Sequence, residues 1–427
     1  MGRIYGEDVP TRPAFPDAIG KGAGRKSPGQ KSAGSPKGAP PSDDDDKGLL
    51  LYIHVPFCRS RCHYCTFHSQ AFNQVTFAWY HKLLLEEIKL WGARLKGPKL
   101  RTIYFGGGTP SLIPLTQLAQ IMQALDKAFV LGPSVEVTLE ANPDSATDVS
   151  YFRALLSMGI NRLSLGVQSL SDAHLHAMGR PHSAAMAHAA FTSARQAGFG
   201  NIGLDFIWGL PDQRLKGWID QLTVVTSMRP EHISAYNLTL EPDTPMTALC
   251  AEGGPLTLPP DKEQGRMFVY GAEYLESMGY MHYEVSNFAR MGFVSAHNSG
   301  YWSGADYLGL GPSAVSTIGR RRFENPRYMD EYDAYVRGGL VGREHETLTD
   351  ADLLRELVML SLRTAKGLDL KEFRNRAGFD MVKRHERLIA ALHRENLVRI
   401  NHGFLRLTKN GMLVSNVIIR RLAFDEE

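Results

Sequence analysis

Cys58, Cys62 and Cys65 stand together in the stretch Cys58-Arg-Ser-Arg-Cys62-His-Tyr-Cys65, a C-x3-C-x2-C spacing. The one other cysteine is Cys250. Soft thiolates clustered so closely are ligands far more often than packing residues. Three donors without a fourth suit a four-iron cluster that keeps one iron open. An open iron binds a small molecule, which turns an electron-transfer centre into a chemical one. The alternative is zinc, with His54, His63 or His68 completing the set. Zinc sites usually pair their cysteines with a distant second pair, which this chain lacks.

These residues need elements that hold them. The cysteines follow an apolar run, Leu50–Val55, and further β-rich runs lie at Arg101–Phe105, Val135–Glu140, Arg162–Val167, Ile202–Trp208 and His232–Leu240. Helical periods separate them. One carries Phe77, Tyr80, Leu84, Ile88 and Trp91 on one face; others span Thr116–Val130, Asp148–Met158 and Ser183–Ala197. Repeated strand-helix units predict a parallel sheet curled into a barrel or partial barrel, so the fold class is α/β. In such barrels reactive groups gather at the C-terminal ends of the strands. The cysteines follow the first strand and Gly106-Gly107-Gly108-Thr109-Pro110 the second. Glu140 closes the third, Gln168 follows the fourth and Asp205 lies in the fifth. All are expected at one mouth.

Each candidate has a plainer reading. The glycine run is either a tight turn or a surface that lets backbone groups approach a ligand's amino acid moiety. Glu140 is a cap, a solvent-facing carboxylate, or an acceptor for a cationic amine or a ribose. Arg180, in Met178-Gly-Arg-Pro181, can sit in an ordinary turn. His174, His176, His182 and His188 do not share a helical face and read as incidental. Cys250 reads as a buried hydrophobe.

Tyr52-Ile-His-Val-Pro-Phe-Cys58 running into the cysteine motif, followed by Phe105-Gly-Gly-Gly-Thr-Pro110, resembles the radical S-adenosylmethionine superfamily. Within it the chain resembles, from about Leu49 onward, the group of oxygen-independent coproporphyrinogen III oxidase. The resemblance implies a partial (β/α)6 TIM-like radical SAM barrel with a [4Fe-4S] cluster on Cys58, Cys62 and Cys65. Its open iron would chelate S-adenosylmethionine, and the reduced cluster would split the sulfonium to a deoxyadenosyl radical. By motif, Tyr52, Gly107, Gly108, Thr109, Glu140, Gln168, Arg180 and Asp205 are implied as S-adenosylmethionine contacts.

Two features separate the subfamilies. The decarboxylase carries a further cysteine two residues after the third, where this chain has Phe67. The element His297-Asn298-Ser-Gly-Tyr301-Trp302 is similar to the H-N-x-x-Y-W signature of the haem chaperone HemW family, which is understood to bind haem and deliver it to haem proteins. An imidazole can ligate haem iron axially. Tyr301 and Trp302 offer flat faces to a porphyrin, and Arg320, Arg321 and Arg322 can pair with propionates. The bland alternatives are a core histidine, a packed aromatic pair and a solvated arginine face. The reading is a haem chaperone without coproporphyrinogen oxidase activity, with haem at His297. The alternatives are the radical decarboxylase and a zinc-held scaffold. A homodimer built on the cluster region and recipient haem proteins are the expected partners.

The rest of the chain bounds this reading. With 427 residues, 43% hydrophobic, 22% charged and a net charge of +3, the composition is that of an ordinary globular protein. It gives no reason to expect a nucleic-acid partner. Free clustered thiolates suit a reducing compartment, and no apolar stretch approaches a membrane span or a signal peptide, so the expected location is the cytoplasm. Four segments follow. Residues 1–48, rich in Gly, Pro, Ser and Lys and ending near Asp43-Asp44-Asp45-Asp46-Lys47, match an expression leader or a natural tail without fixed structure. Residues 49–241 form the barrel. Residues 242–345 are a Gly-, Pro- and aromatic-rich extension with few clear strands. Residues 346–427 are predicted as a winged-helix-like α+β module: helices at Thr349–Thr364, Glu372–Ala377 and Met381–Arg394, then a hairpin of Leu397–Ile400 and Phe404–Leu407.

Overall fold

The computed structural model describes residues 48–341 and 345–423; the leader segment expected at residues 1–48 lies, but for Gly48, outside them. Six parallel strands follow the sequence runs: β1 (Leu49–Val55), β2 (Lys99–Gly107), β3 (Val130–Ala141), β4 (Arg162–Gln168), β5 (Ile202–Trp208) and β6 (His232–Asn237). Helices α1 (Gln74–Leu95), α2 (Leu115–Ala128), α3 (Val149–Ser157), α4 (Ala184–Ala197) and α5 (Leu215–Met228) connect them. Parallel neighbours need such crossovers.

Alternation along the strands decides what each face does. On β4, Leu163, Leu165 and Val167 are buried in the main apolar core, while Arg162, Ser164, Gly166 and Gln168 line the lumen. On β5, Leu204, Phe206 and Trp208 join that core, while Asp205 and Ile207 line the lumen. The lumen of an (β/α)8 barrel is ordinarily filled by branched apolar side chains. Here it is polar and hollow, which is the precondition for a ligand.

The extension corrects the sequence reading. Residues 242–345 were expected to hold few strands, yet they supply β7 (Met281–Glu284), β8 (Asn287–Ala289), β9 (Tyr307–Leu310), β10 (Val315–Ile318) and β11 (Arg321–Glu324). With β12 (Glu346–Thr347) the sheet reaches 12 strands in the order β12-β11-β10-β9-β1-β2-β3-β4-β5-β6-β8-β7. Strand β9 is parallel to β1, and the strands beyond β9 and β6 run antiparallel. These strands are too short for their alternation to emerge from a Gly-rich background. The extension also contributes α6 (Asp261–Ser277), α7 (Ala296–Trp302) and α8 (Met329–Arg337). Glu87 of α1, fully buried, locks it on: its carboxylate accepts from Tyr332 Oη at 2.6 Å, Asn325 Nδ2 at 2.7 Å and Gly311 N at 2.8 Å.

The C-terminal module has its own apolar core, including Val358, Leu362, Phe373, Ile389, Leu405 and Ile419. It is a three-stranded antiparallel sheet, β13 (Leu368–Asp369), β14 (Val398–Asn401) and β15 (Phe404–Leu407), with helices around it. The helix expected over Met381–Arg394 is broken into Met381–Arg384 and Glu386–Arg394, because His385 leaves helical geometry at φ −109° and ψ 31°.

Candidate functional site

One cavity of about 610 Å³ opens at the C-terminal ends of the barrel strands, and every candidate site residue lines it: Cys58, Cys62, Cys65, Tyr52, Gly107, Gly108, Thr109, Glu140, Gln168, Arg180, Asp205 and His297. That volume lies within the range of ligand pockets.

The cysteines form the mouth. Cys58 ends a two-residue strand, Phe57–Cys58, paired with Gln70–Ala71, so the intervening loop is closed at its base. Two of the sulfurs accept hydrogen bonds. Arg180 Nη1 donates to Cys62 Sγ at 3.4 Å, and Thr109 Oγ1 donates to Cys58 Sγ at 3.5 Å. Asn142 joins these donors, accepting from Arg180 Nη2 at 2.8 Å and donating to Thr109 Oγ1 at 3.2 Å. The result is a belt from Cys62 through Arg180, Asn142 and Thr109 to Cys58. Asn142 escaped the sequence reading, although it directly follows β3 and the strand-end rule points to it.

The donor set fits an iron-sulfur cluster better than zinc. Among the described residues no three His, Cys, Asp or Glu side chains are grouped to hold a single metal ion. The candidate zinc histidines are engaged elsewhere: His54 Nε2 with His68 O at 2.9 Å, His63 Nδ1 with Ala177 O at 2.9 Å, and His68 Nδ1 with Arg327 Nε at 3.2 Å. Three soft sulfurs, with polar donors directed at two of them, match the surroundings that stabilise Fe–S thiolates.

The glycine run is a ridge rather than a plain turn. A Cβ on Gly108 would lie 2.6 Å from Phe57 O and 2.8 Å from Val55 O, against backbone that cannot step aside. Gly107 has φ +106°, a conformation that disfavours side chains. Beside it Glu140 accepts from Tyr104 Oη at 2.7 Å and from Gly107 N at 3.3 Å. Burial pushes the Glu140 carboxyl up to about 7, outweighing those two hydrogen bonds. Asp205 Oδ2 accepts from Ser164 Oγ at 2.8 Å, and the Ser234 side chain bonds the same carboxyl; burial nevertheless raises this carboxyl too. Gln168 sits at φ +63°, a left-handed conformation at the end of β4 that turns its side chain to the cavity.

His297 lies at the floor. Its helix, α7, starts inside the barrel: Glu136 of β3 accepts from Ala296 N and His297 N, both at 3.0 Å, and from Ser295 Oγ at 3.3 Å. His297 Nδ1 and Thr102 Oγ1 are 2.6 Å apart, while Nε2 is buried without a partner. The ring stacks on Tyr104 at 4.9 Å and meets the edge of Tyr301 at 4.7 Å. Burial, helped by nearby Arg162, lowers its pKa to about 3, so the imidazole is neutral.

Other expectations are corrected. Arg320, Arg321 and Arg322 do not line the cavity. Their strand lies toward the sheet edge: Arg320 pairs with Asp350, and Arg322 forks onto Glu356 at 2.6 and 3.1 Å. The run ties the barrel to the C-terminal module. Tyr301 lines the cavity, but Trp302 does not. Cys250 is half-buried, not buried, with Sγ 3.8 Å from Met246 Sδ. Phe67 stands 63% exposed at the mouth. Arg162, His232, Tyr104 and Tyr283 line the cavity with no motif to announce them; they are isolated polar letters in apolar strands.

Comparison with known proteins agrees with this architecture. Residues 52–220 match the radical SAM superfamily model, and residues 348–414 match the HemN C-terminal domain model. A Bacillus subtilis protein named "Heme chaperone HemW" is 33% identical over 371 residues, 86% of this chain and 97% of that protein. A Synechocystis protein of the same name is 36% identical, covering 74% of this chain and 78% of its own length. A bovine protein, "Radical S-adenosyl methionine domain-containing protein 1, mitochondrial", is 32% identical across 94% of this chain and 92% of its own. The solved structure of coproporphyrinogen III oxidase (HemN) from Escherichia coli superposes with a TM-score of 0.73 at 24% identity, covering 89% of this chain and 90% of that one, and so shares the fold. Among the described residues no helix is long and apolar enough to cross a membrane. This chain belongs to the haem chaperone HemW family of the radical S-adenosylmethionine superfamily.

Proposed function

We propose that this protein is a haem chaperone: it binds haem and a [4Fe-4S] cluster with S-adenosylmethionine, and passes haem to recipient haem proteins. The observation that carries this reading is its likeness to proteins named haem chaperones over nearly their whole length, together with Phe67 where the decarboxylase has a further cysteine. Coproporphyrinogen decarboxylation is the rival activity, and the fold likeness to HemN does not favour it.

Cys58, Cys62 and Cys65 would hold the cluster, and Tyr52, Gly107, Gly108, Thr109, Glu140, Gln168, Arg180 and Asp205 would contact S-adenosylmethionine. When bound, that pair supplies one-electron chemistry at an open iron. The chain's own residues do the positioning. The belt through Arg180, Asn142 and Thr109 orients Cys62 and Cys58. The ridge at Gly107 and Gly108 gives a ligand's amino acid end backbone to lie against. Glu140, whose carboxyl titrates at about 7, surrenders its proton when a cationic amine arrives. His297 is the haem candidate, by its unpartnered Nε2. We read residues 49–241 as the barrel carrying the cofactors, 242–345 as the extension carrying His297, and 346–427 as a winged-helix-like docking module. A homodimer formed around the exposed loop of Phe67 and a location in the reducing cytoplasm complete the reading.

Titrating the purified protein with haem and recording the Soret band tests it. Stoichiometric binding, weakened in His297→Ala, is the expected result. No binding, or protoporphyrinogen formation by the anaerobically reconstituted protein, would sink it.

A further inference from the structure

Strand β7 is the last of the 12-stranded sheet, a position that leaves an outer edge to be covered. The C-terminal module covers its end. Val285 N donates to Arg363 O at 2.9 Å, Ala365 N donates to Tyr283 O at 3.0 Å, and Glu284 bridges Thr364 in antiparallel register. Residues 363–365 lie between the module's first helix, Asp350–Ser361, and β13. This seam fixes the backbone of Tyr283 and Glu284 from the module's side.

The side chains of the same two residues meet α7. Asn298 Nδ2 donates to Tyr283 Oη at 3.2 Å. The Asn298 side chain also bonds the Glu284 carboxyl, alongside the Asn287 side chain and Ser286 N, the last at 3.3 Å. An amide nitrogen carries two protons, so one side chain serves both neighbours. Glu284 is 1% exposed, and burial pushes its carboxyl up to about 7 against those hydrogen bonds. Loss of a donor at so buried a carboxyl is costly. Asn298 directly follows His297 in the first turn of α7, and both Tyr283 and Asn298 line the cavity. The ion pairs Arg322–Glu356 at 2.6 Å and Lys409–Glu276 at 2.7 Å also hold the module, but none of these four residues lines the cavity. The seam leads from the module to the haem candidate with one side chain in between.

We propose that Asn298 is a positioning residue that ties α7, and His297 with it, to the C-terminal module, so that a protein docking on the module acts on the cavity through this side chain. The last step rests on the haem chaperone reading; the tie itself does not.

Amide hydrogen exchange on the full chain tests the tie without any ligand. Asn298→Leu keeps the volume and removes both donors. Val285 N and Ala365 N are expected to exchange about fivefold faster in this variant, the scale of one lost hydrogen bond, while core amides of the module such as Leu405 and Ile419 stay unchanged. Ala365→Pro breaks the seam from the other side, because proline has no N–H. It should speed exchange at residues 296–299 by a similar factor in the wild-type background and add nothing in Asn298→Leu. Haem titration of both variants should show weaker binding than the wild type. Seam amides unmoved by Asn298→Leu would show a side chain that only fills space and would overturn the assignment, and this arm stands even where Ala365→Pro does not fold. Equal effects of Ala365→Pro with and without Asn298 would overturn it too. Haem affinity unchanged in Asn298→Leu while the seam loosens would confine Asn298 to the scaffold and end its positioning role. A wild type that binds no haem removes the chaperone reading, and the exchange results still decide the tie.

Discussion

The mouth and the floor of the cavity are built on opposite plans. At the mouth most polar groups are joined to one another: Arg180, Asn142 and Thr109 link Cys62 to Cys58, and Glu140 is bonded by Tyr104 and Gly107, with Arg180 Nε and Asp144 Oδ1 left over. At the floor Arg162 Nε, His232 Nδ1 and His297 Nε2 are buried and left over. A belt joined by four hydrogen bonds can keep sulfur donors aligned before any cofactor arrives. Each buried unpaired group costs about 1–3 kcal/mol, so the floor carries a cost that the mouth's hydrogen bonds largely avoid. The mouth is thus held together by bonds within the chain, and the floor by burial and by the charges of Glu136 and Asp205 on Arg162.

The largest expected effect separates the two ends outright. Cys62→Ser should abolish bound iron and the brown absorbance of reconstituted protein, while haem titration stays within about twofold of wild type, because no floor residue touches the loop. Iron analysis and the Soret titration read both; loss of haem binding along with the iron would dissolve the distinction.

Next comes pH. Burial raises Glu140 from 4.5 to about 7. Between those values the unfolded chain has released this proton and the folded chain has not, so the stability it contributes is full below pH 4.5 and is lost as pH rises through 7. The loss is about 3 kcal/mol at one pKa unit per 1.36 kcal/mol. Glu140→Gln should flatten that part of the Tm-versus-pH curve. S-adenosylmethionine affinity should climb with pH up to about 7 in the wild type and not in the variant. A flat wild-type profile would mean the carboxyl is ionised throughout.

Gly108→Ala probes the ridge. Its Cβ would meet Phe57 O at 2.6 Å. Overpacking of this kind costs about 1–3 kcal/mol, and the displaced backbone should weaken S-adenosylmethionine binding without touching haem. Thermal melts and calorimetric titration measure the two.

The smallest effect is at the clamp on α7. Glu136→Gln keeps the shape but replaces one acceptor oxygen by a donor facing Ala296 N or His297 N. About 1 kcal/mol of destabilisation is expected, with faster amide exchange at residues 296–298 and no change in the cluster. Unchanged exchange would show that α7 is held by its packing, such as Gly300 against Leu50, and not by this carboxylate.

The two ends also differ in how far the sequence revealed them. The cysteine spacing, the glycine run and the positions of Glu140, Gln168 and Asp205 at or near strand ends are local patterns. Such patterns could be read because a cluster loop and a backbone ridge are made of neighbours in the chain. The six strands and four of the five helices that connect them were legible for the same reason, since alternation and helical period are short-range; α5 was not among them. Arg162, His232, Thr102 and Tyr283 were invisible as a group, because each is a single inward position on a different strand. The arginine run at 320–322 looked placed for a propionate, and the sheet order put it away from the cavity. Ligand type at the mouth was fixed by donor chemistry written in consecutive residues. Which polar groups meet at the floor was decided by the curl of the sheet, which turns one side chain in two toward a common interior and brings α7 against them.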